Sequence, residues 1–150
     1  MAVLSYRNAD NCSSIRRMSR TVILPARMQE AIWAHVLREL PNEGVGVLAV
    51  YQDAPDTLRA FYPLSNLAAQ PERRYLADPL ELLRALRAMR QGGLNLGAIY
   101  HSHPRGRARP SPTDLDLARY PVPYLIADVQ RRELRAYLLP ENTEIEVRLL

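Results

Sequence analysis

Two short apolar stretches alternate with helix signals along this chain, and that alternation constrains its fold more than any other feature. Residues 44–51 (GVGVLAVY) and 94–100 (LNLGAIY) are typical of buried strands. Between them, Asp78 and Pro79 predict a helix start, and Glu81 completes the pattern of a capping box. Helices interleaved with strands over 150 residues, the length of one domain, predict an α/β or α+β sheet covered by helices.

Shorter segments continue this alternation on either side. Apolar residues recur every four positions from Met28 to Leu40, which predicts an amphipathic helix that Pro41 ends. The helix signature occurs again at residues 111–114 (SPTD) and predicts a short helix to about residue 120. Further strands are predicted over residues 21–24, 58–62, 124–129, 134–139 and 145–149.

The cysteine content and the hydropathy pattern exclude several classes of protein. The single cysteine, Cys12, allows neither a disulfide framework nor a cysteine-built metal site. No apolar run approaches the ~18 residues that a membrane-spanning helix needs. Residues 1–17 lack the continuous apolar stretch of a secretory signal. We therefore expect a cytoplasmic protein that has no membrane partner.

The net charge of +4 is distributed unevenly along the chain. Residues 1–20 carry four arginines and one aspartate, a net +3, whereas the other 130 residues carry 16 arginines and 15 acidic residues, a net +1. The nearly balanced body argues against a nucleic-acid partner, although the isoelectric point is 9.6.

The first residues differ from the rest in pattern as well as in charge. Residues 1–18 are polar and have no apolar periodicity, so they cannot bury enough apolar surface to offset the entropy of ordering. The sequence therefore predicts a flexible extension over residues 1–18 and one folded domain over residues 19–150.

Two of the three histidines, His101 and His103, lie at the end of the predicted strand 94–100. Side chains two residues apart on an extended chain point to the same face, so the two imidazoles project together. Asp114 follows eleven residues after His103, where the intervening loop can fold it back toward them. Two histidines and one carboxylate leave the fourth position of a tetrahedral zinc ion for water, which is the pattern of a catalytic site.

The whole run over residues 101–114, HSHPRGRARPSPTD, resembles the signature of the JAMM metalloproteases, also called the active MPN domain. That signature joins H-[ST]-H-P to P-S-x-x-D through a short loop, and this chain matches every fixed position. Residues 40–50 (LPNEGVGVLAV) are similar to the family segment that carries a glutamate. Residues 63–82, including Asn66, are similar to its linking strand and helix, and the resemblance covers about residues 20–140.

The resemblance implies a fold and a set of site residues. The fold would be an α/β sandwich, similar to that of cytidine deaminases, in which helices flank a curved mixed sheet. One zinc ion per chain would be bound by His101, His103 and Asp114. Glu43 would accept a proton from the zinc-bound water and pass it to the leaving amine. Ser111 would cap the helix that positions Asp114, help to hold the oxyanion, or do both.

The resemblance also implies an activity and a partner. The activity would be that of a zinc metalloprotease, a deubiquitinase-like isopeptidase that hydrolyses amide bonds after a Gly-Gly tail. The tail would belong to a ubiquitin-like or sulfur-carrier β-grasp protein, and an extended pair of glycines suits a narrow cleft. The oligomeric state, and the choice between isopeptide cleavage and trimming of a tail, are left open.

Three alternatives remain at this point. An amidase that acts on small peptides or cell wall would use the same zinc chemistry. A DNA-associated protein of the RadC type shares the fold, but its motif usually reads HNHP where this chain has HSHP. A non-catalytic MPN scaffold is the third alternative, although that branch lacks the metal ligands that this chain keeps.

Other polar residues receive simpler interpretations. His35 lies on the flank of the first helix, which indicates a packing or surface role. Asp116 points away from Asp114 around the helix axis, toward solvent. A basic loop that contains Arg105, Arg107 and Arg109 is either a solvated connection or a clamp for an acidic substrate surface.

Overall fold

The computed structural model describes residues 21–150, so the predicted extension over residues 1–18 lies outside the described residues. Within residues 21–150 the chain forms seven strands and three helices. In chain order they are β1 (Thr21–Leu24), α1 (Ala26–Glu39), β2 (Val45–Tyr51), β3 (Ala60–Leu64), α2 (Pro79–Gln91), β4 (Leu94–His103), α3 (Pro112–Leu117), β5 (Tyr124–Asp128), β6 (Glu133–Leu138) and β7 (Thr143–Leu149).

The strands form one mixed sheet with the order β1-β7-β6-β5-β4-β2-β3. The pairs β1–β7 and β4–β5 are parallel, and the other neighbouring strands are antiparallel. The register of β2 against β4 shifts between Leu48 and Ala49, where a bulge bends the pair. The predicted class, a curved mixed sheet flanked by helices, is confirmed.

Helices cover both faces of the sheet, and neighbouring residues of β4 pack against opposite helices. Ile32 and Val36 of α1 pack in one apolar cluster with Tyr100 of β4. Met89 of α2 packs in a second cluster with Ile99 of β4. The period of two along a strand therefore separates an α1 side of the sheet from an α2 side.

The two strands that differ most in extent from the prediction are β3 and β4. Strand β3 covers residues 60–64 where 58–62 was predicted, because the Leu58 amide donates to the Ile23 carbonyl of β1 at 3.0 Å and the register with β2 begins at Ala60. Strand β4 continues beyond residue 100 to His103, because β5 remains paired with it that far.

The predicted capping box at the start of α2 is wrong in one half. Asp78 does cap the helix, because its carboxylate accepts from the amides of Leu80 and Glu81 at 2.9 and 3.4 Å. The Asp78 amide, however, already donates to the Ser65 carbonyl at 3.0 Å. Glu81 therefore binds Ser65 instead, accepting from its amide at 2.5 Å and from its hydroxyl at 2.9 Å.

Helix α3 ends at Leu117, three residues before the predicted end at residue 120. The phenolic oxygen of Tyr124 accepts from the amides of Arg119 and Tyr120, both at 3.3 Å. These two amides are therefore unavailable for further helical hydrogen bonds, and the chain turns directly into β5.

Candidate metal centre

Strand β4 presents both predicted histidine ligands on the α2 side of the sheet. His101 and His103 lie at its carboxyl end and pair with Ile126 and Asp128 of β5. Both histidines are buried, and the exposed fraction of His101 is 0%. The sheet therefore holds the two imidazoles on one face, as the spacing of two residues predicts.

Helix α3 brings the predicted carboxylate ligand to the same place. The Ser111 hydroxyl accepts from the Asp114 amide at 3.1 Å, and the Asp114 carboxylate accepts from the Ser111 amide at 2.8 Å. This reciprocal pair is a capping box, which fixes the Asp114 side chain at the first turn of the helix. Asp114 is buried as a result.

Three potential ligand atoms converge at this point. Nε2 of His101 lies 3.2 Å from Nε2 of His103 and 3.0 Å from Oδ2 of Asp114, and the remaining pair is separated by 3.3 Å. A tetrahedral zinc ion with bonds of about 2.0–2.1 Å places its ligands about 3.3–3.4 Å apart. Since the three observed distances are close to this ligand–ligand separation, these residues fit a zinc ion.

The hydrogen bonds of the two histidines show which ring nitrogens are left to bind a metal ion. Nδ1 of His103 lies 2.7 Å from the Arg107 carbonyl, which only accepts, so Nδ1 carries a proton and Nε2 is the ring nitrogen left to bind a metal. Nδ1 of His101 has no hydrogen-bond partner among the residues that the structure describes. Burial lowers the pKa of His101, which favours the neutral form that binds metals.

Asp114 is held in the charged form that a metal ligand requires. Burial alone would raise the pKa of its carboxyl, but hydrogen bonds from His101 and His103 outweigh that effect and hold the pKa far below its usual value. The amide of Ser111 adds to the same stabilisation. A metal ion that displaced the protons of these hydrogen bonds would meet one anionic oxygen and two imidazole nitrogens.

Glu43 lies beside these three residues at the entry to β2, and its exposed fraction is 4%. Its Oε1 is 3.7 Å from Nε2 of His103, while Oε2 has no hydrogen-bond partner within residues 21–150. Burial raises the pKa of the Glu43 carboxyl to about 7, an effect that His103 opposes and Asp114 reinforces. A carboxyl of that pKa exchanges protons readily at neutral pH.

The loop between β3 and α2 fixes the backbone on both sides of the Glu43 side chain. The Glu43 amide donates to the Pro71 carbonyl at 2.7 Å, and Nδ2 of Asn66 donates to the Glu43 carbonyl at 3.0 Å. The amide of Asn66 also donates to two loop carbonyls, while its oxygen accepts from the amides of Ala68 and Leu76. The sequence indicates Asn66 only as part of a linking segment, so this role was missed.

Two further contacts were missed as well. The ring of Tyr75 stacks on His101, with centroids 4.4 Å apart and an interplanar angle of 28°. The Ser102 hydroxyl accepts from the Gly44 amide at 2.7 Å on the α1 side of the sheet. No sequence pattern marks Tyr75, whereas the position of Ser102 between the two histidines was the available signal.

Within residues 21–150, the other polar residues discussed from the sequence contribute no side-chain ligand atom to this cluster. His35 belongs to α1 and is buried, and its Nδ1 lies 2.6 Å from the phenolic oxygen of Tyr100. Asp116 is exposed, as predicted, and the arginines of the 104–110 loop are exposed too. Cys12 lies outside the described residues.

A buried His-His-Asp set beside a near-neutral carboxyl, on a mixed sheet covered by helices, has the donor set of a catalytic metal site rather than a structural one. The family model described as prokaryotic homologs of the JAB domain matches residues 25–140. The chain belongs to this Prok-JAB family.

Relatives with descriptive names match most of the chain. It is 46% identical over 127 residues to a probable TtuB-protein conjugate cleaving protease of Thermus thermophilus, a match that spans 85% of this chain and 82% of the relative. It is 36% identical over 119 residues to a desampylase of Haloferax volcanii, spanning 76% and 85%. The solution structure of protein DSY2949 from Desulfitobacterium hafniense superposes with a TM-score of 0.77 at 34% identity, covering 86% of this chain and 92% of that one.

None of the helices within residues 21–150 is long and apolar enough to cross a membrane.

Proposed function

We propose that this protein is a zinc-dependent protease that hydrolyses an amide bond after the Gly-Gly tail of a ubiquitin-like or sulfur-carrier β-grasp protein. The observation that carries the proposal is the convergence of His101, His103 and Asp114 beside the buried carboxyl of Glu43. The names of the Thermus and Haloferax relatives support the choice of a protein conjugate as the substrate.

The metal in this proposal is one zinc ion per chain, bound by Nε2 of the two histidines and by a carboxylate oxygen of Asp114. Zinc bound there would supply a water with a pKa near 7 and a Lewis acid for the scissile carbonyl. The burial of all three side chains supports this assignment, because charged groups are rarely buried unless they are paired or coordinate a metal.

Glu43 acts as the proton acceptor and then the proton donor. Its Oε1 is fixed 3.7 Å from His103, and its second oxygen has no partner within residues 21–150, so one carboxylate oxygen remains available to a reacting proton. The carboxyl receives a proton when the nucleophile forms, and it gives that proton to the departing amine. Burial keeps its pKa near the pH at which both transfers are favourable.

Ser111 serves two purposes with one hydroxyl. Its oxygen accepts from the Asp114 amide, which stabilises the first turn of α3. A hydroxyl has one proton to donate besides its acceptor lone pairs, so capping leaves that proton free. The Ser111 hydroxyl donates this proton in a hydrogen bond to the carbonyl oxygen of the substrate as negative charge develops there.

The folded unit that performs this chemistry spans residues 19–150. The match of the family model to residues 25–140 supports that boundary. A chain that begins at Met18 is expected to fold, bind zinc and cleave a small Gly-Gly amide at an unchanged rate. Loss of several degrees of melting temperature would instead show that residues 1–17 stabilise the domain.

The test of the proposed function uses purified protein and the Gly-Gly-ending β-grasp proteins of its own organism. Each β-grasp protein is supplied as a conjugate to a lysine of a second protein and as a chain extended by a few residues beyond Gly-Gly. We expect cleavage directly after Gly-Gly, read by mass spectrometry, and loss of cleavage after treatment with a zinc chelator. Full cleavage by the metal-free protein would contradict the proposal.

The two substrates also separate the two forms of the activity. Cleavage of the lysine conjugate identifies an isopeptidase, and cleavage of the extended chain alone identifies a trimming peptidase. Failure with both substrates, together with hydrolysis of short cell-wall peptides, would identify the amidase alternative.

A further inference from the structure

The loop between β4 and α3, residues 104–110, is fixed to the protein by its backbone while its arginines face outward. The Arg107 carbonyl accepts from Nδ1 of His103 at 2.7 Å, and the Ala108 carbonyl accepts from the Tyr137 hydroxyl at 2.6 Å. A Cβ atom on Gly106 would lie 3.4 Å from Cβ of His103, so the loop passes directly against that histidine. The loop is therefore a rigid rim beside the site.

Three cations stand on this rim. The side chains of Arg105, Arg107 and Arg109 are exposed, and none of them forms an ion pair with an acidic residue within residues 21–150. Arg135 and Arg148 do have acidic partners, whereas three other exposed arginines, Arg84, Arg87 and Arg90 of α2, have none within residues 21–150. The rim thus carries an uncompensated charge of +3 next to the reacting groups, although residues 21–150 carry only +1 in total.

We propose that the loop over residues 104–110 docks an acidic face of the folded β-grasp protein whose tail is cleaved. This inference rests on the proposed function. An extended residue spans at most ~3.6 Å, so each residue of a short flexible tail adds no more than that to the distance between the folded body and the scissile bond. A folded body on a short tail must then lie against the rim of the site, where guanidinium groups on a fixed loop are complementary to carboxylates.

A protein surface suits this rim better than a nucleic acid does. A phosphate backbone needs a long basic surface, because each strand presents a charge every 3.4 Å along its axis. The acidic and basic residues of the rest of the described chain nearly balance, so three arginines on one short loop form a local patch. A local patch is complementary to an acidic cluster on a small folded protein.

The experiment compares two double variants that carry the same change in charge. One is Arg105→Glu/Arg109→Glu, which leaves Arg107 and its bond to His103 in place, and the control replaces Arg84 and Arg90, two exposed arginines of α2, with glutamate. Each protein is assayed with a short Gly-Gly peptide amide, with the β-grasp protein carrying a fluorophore amide after Gly-Gly, and with the full conjugate. All assays are repeated across a series of salt concentrations.

We expect the loop variant to lose about tenfold or more in kcat/KM on the fluorophore-tagged β-grasp protein, mainly through KM. Its activity on the short peptide should be unchanged, and the α2 variant should resemble the natural protein. The difference between natural protein and loop variant should shrink at high salt, since exposed charges are screened.

Several outcomes would overturn the inference. An equal loss in both double variants would show an effect of net charge, and a loss that appears only with the full conjugate would place the acceptor protein on the loop. A loss on the short peptide would show that the loop acts on the site itself. A change confined to binding of duplex DNA would assign the loop to nucleic acid.

The same assays separate this inference from the proposed function. If the natural protein cleaves no Gly-Gly substrate, the proposed function and the docking inference both fail. If it cleaves the tagged β-grasp protein and the loop variant does so equally well, the proposed function stands and the docking inference fails.

A second inference concerns how His101 is held. Metal-binding histidines usually donate their other ring nitrogen to a carboxylate or a carbonyl, which fixes the ring. Nδ1 of His101 has no such partner among the described residues, yet the ring is completely buried. Its one stacked neighbour within residues 21–150 is Tyr75, at a centroid distance of 4.4 Å.

We infer that Tyr75 is a positioning residue that orients His101 toward the metal through its ring face rather than through a hydrogen bond. Tyr75 belongs to the β3–α2 loop, and the Asn66 side chain fixes both neighbours of Tyr75 in the chain by bonding the Arg74 carbonyl and the Leu76 amide, each at 3.0 Å. Because the backbone on both sides of Tyr75 is fixed, its ring stays in place against the imidazole and hinders the imidazole from turning out of its plane.

The test measures metal binding directly. Tyr75→Phe keeps the stacked face, Tyr75→Leu removes it, and Tyr62→Leu removes a partly buried tyrosine of the second apolar cluster that stacks on no histidine within the described chain. Zinc affinity is measured by chelator competition, and geometry is read from the visible absorption of the Co²⁺-substituted protein.

We expect Tyr75→Leu to weaken zinc binding by roughly 10–100-fold and to change the Co²⁺ absorption bands, as loss of other orienting contacts does. Tyr75→Phe and Tyr62→Leu should both bind as the natural protein does. Equal weakening in the Phe and Leu variants would show that the hydroxyl matters instead of the ring face. Natural affinity and an unchanged spectrum in Tyr75→Leu would overturn the inference, and metal-free melting temperatures show whether each variant folds.

Discussion

Four consecutive side chains of β4 divide between two environments that are equally buried and chemically opposite. On the α1 side, the Tyr100 hydroxyl pairs with His35 at 2.6 Å and the Ser102 hydroxyl accepts from the Gly44 amide at 2.7 Å. On the α2 side, His101 and His103 direct their Nε2 atoms at one another across 3.2 Å. The polar groups of one face are satisfied in pairs, whereas the other face gathers three potential ligand atoms around a single point.

The contrast separates buried polar groups that stabilise the fold from buried polar groups that can bind a metal. Buried polar groups that satisfy one another stabilise the packing between elements, and their removal costs stability. Three ligand atoms that converge on one point need shared protons or a cation between them, and a metal ion in place of the protons would bind all three. Substitutions on the α2 side of β4 should therefore change metal binding and catalysis, and those on the α1 side should change the free energy of unfolding.

The largest effect is expected on the α2 side, at the proposed ligands. His101→Ala, or Asp114→Ala, leaves two ligands for a metal that needs three from the protein, so zinc retention and activity should both be abolished. Metal content by atomic emission and the rate on a Gly-Gly amide provide the measurement. Full activity in either variant would remove the distinction between the two faces.

The next largest effect should come from Glu43. Glu43→Gln preserves shape but removes the proton acceptor, so turnover should fall by about 10²–10⁴-fold while zinc stays bound. Because the working form is deprotonated and burial raises the pKa of the carboxyl to about 7, activity of the natural protein should fall as the pH drops below that value. Zinc loss from Glu43→Gln would show that Glu43 is a ligand or a structural residue.

Ser102 offers an intermediate case, since it lies on the α1 side but bonds the residue next to Glu43. Ser102→Ala leaves the buried Gly44 amide unpaired, which should lower the free energy of unfolding by about 1–3 kcal/mol. A small shift of Glu43 should lower kcat by about tenfold, equivalent to ~1.4 kcal/mol in the barrier, with zinc affinity unchanged. Denaturant titration and steady-state kinetics measure the two effects separately.

The smallest effect on activity should come from Tyr100. Tyr100→Phe leaves Nδ1 of His35 buried without its partner, which should cost about 1–3 kcal/mol of stability. The rate on a Gly-Gly amide and the zinc content should match those of the natural protein below the melting transition. A marked loss of activity would connect the α1 side to the chemistry and contradict the separation of the two faces.

The sequence predicts one part of this site better than another. His101 and His103 are predictable because a strand period of two fixes them on one face, and the capping signature places Asp114 in a first helical turn. Glu43 is found through resemblance, since a lone glutamate before a strand has no periodic signal. The approach of α3 to β4 is set by tertiary packing and not by local pattern.

The contacts of the β3–α2 loop show where prediction from sequence ends. Local rules correctly place Asp78 as a helix cap, but they assign Glu81 to a bond with Asp78 that it does not make. The partner of Glu81 depends on Ser65. The Ser65 carbonyl accepts from the Asp78 amide, and the Ser65 hydroxyl donates to Glu81. The three-residue spacing between Asp78 and Glu81 cannot show that a residue elsewhere in the folded loop competes for the Glu81 carboxylate.

The amide side chain of Asn66 has a consequence for how this domain can vary in evolution. It donates to three carbonyls and accepts from two amides, and the isosteric aspartate would present acceptors to the carbonyls of Glu43, Pro71 and Arg74. Glutamine has the same groups on a longer stem. Among homologous chains, position 66 should thus drift less than its exposed neighbours do, and inserted segments should appear where they leave these five bonds intact.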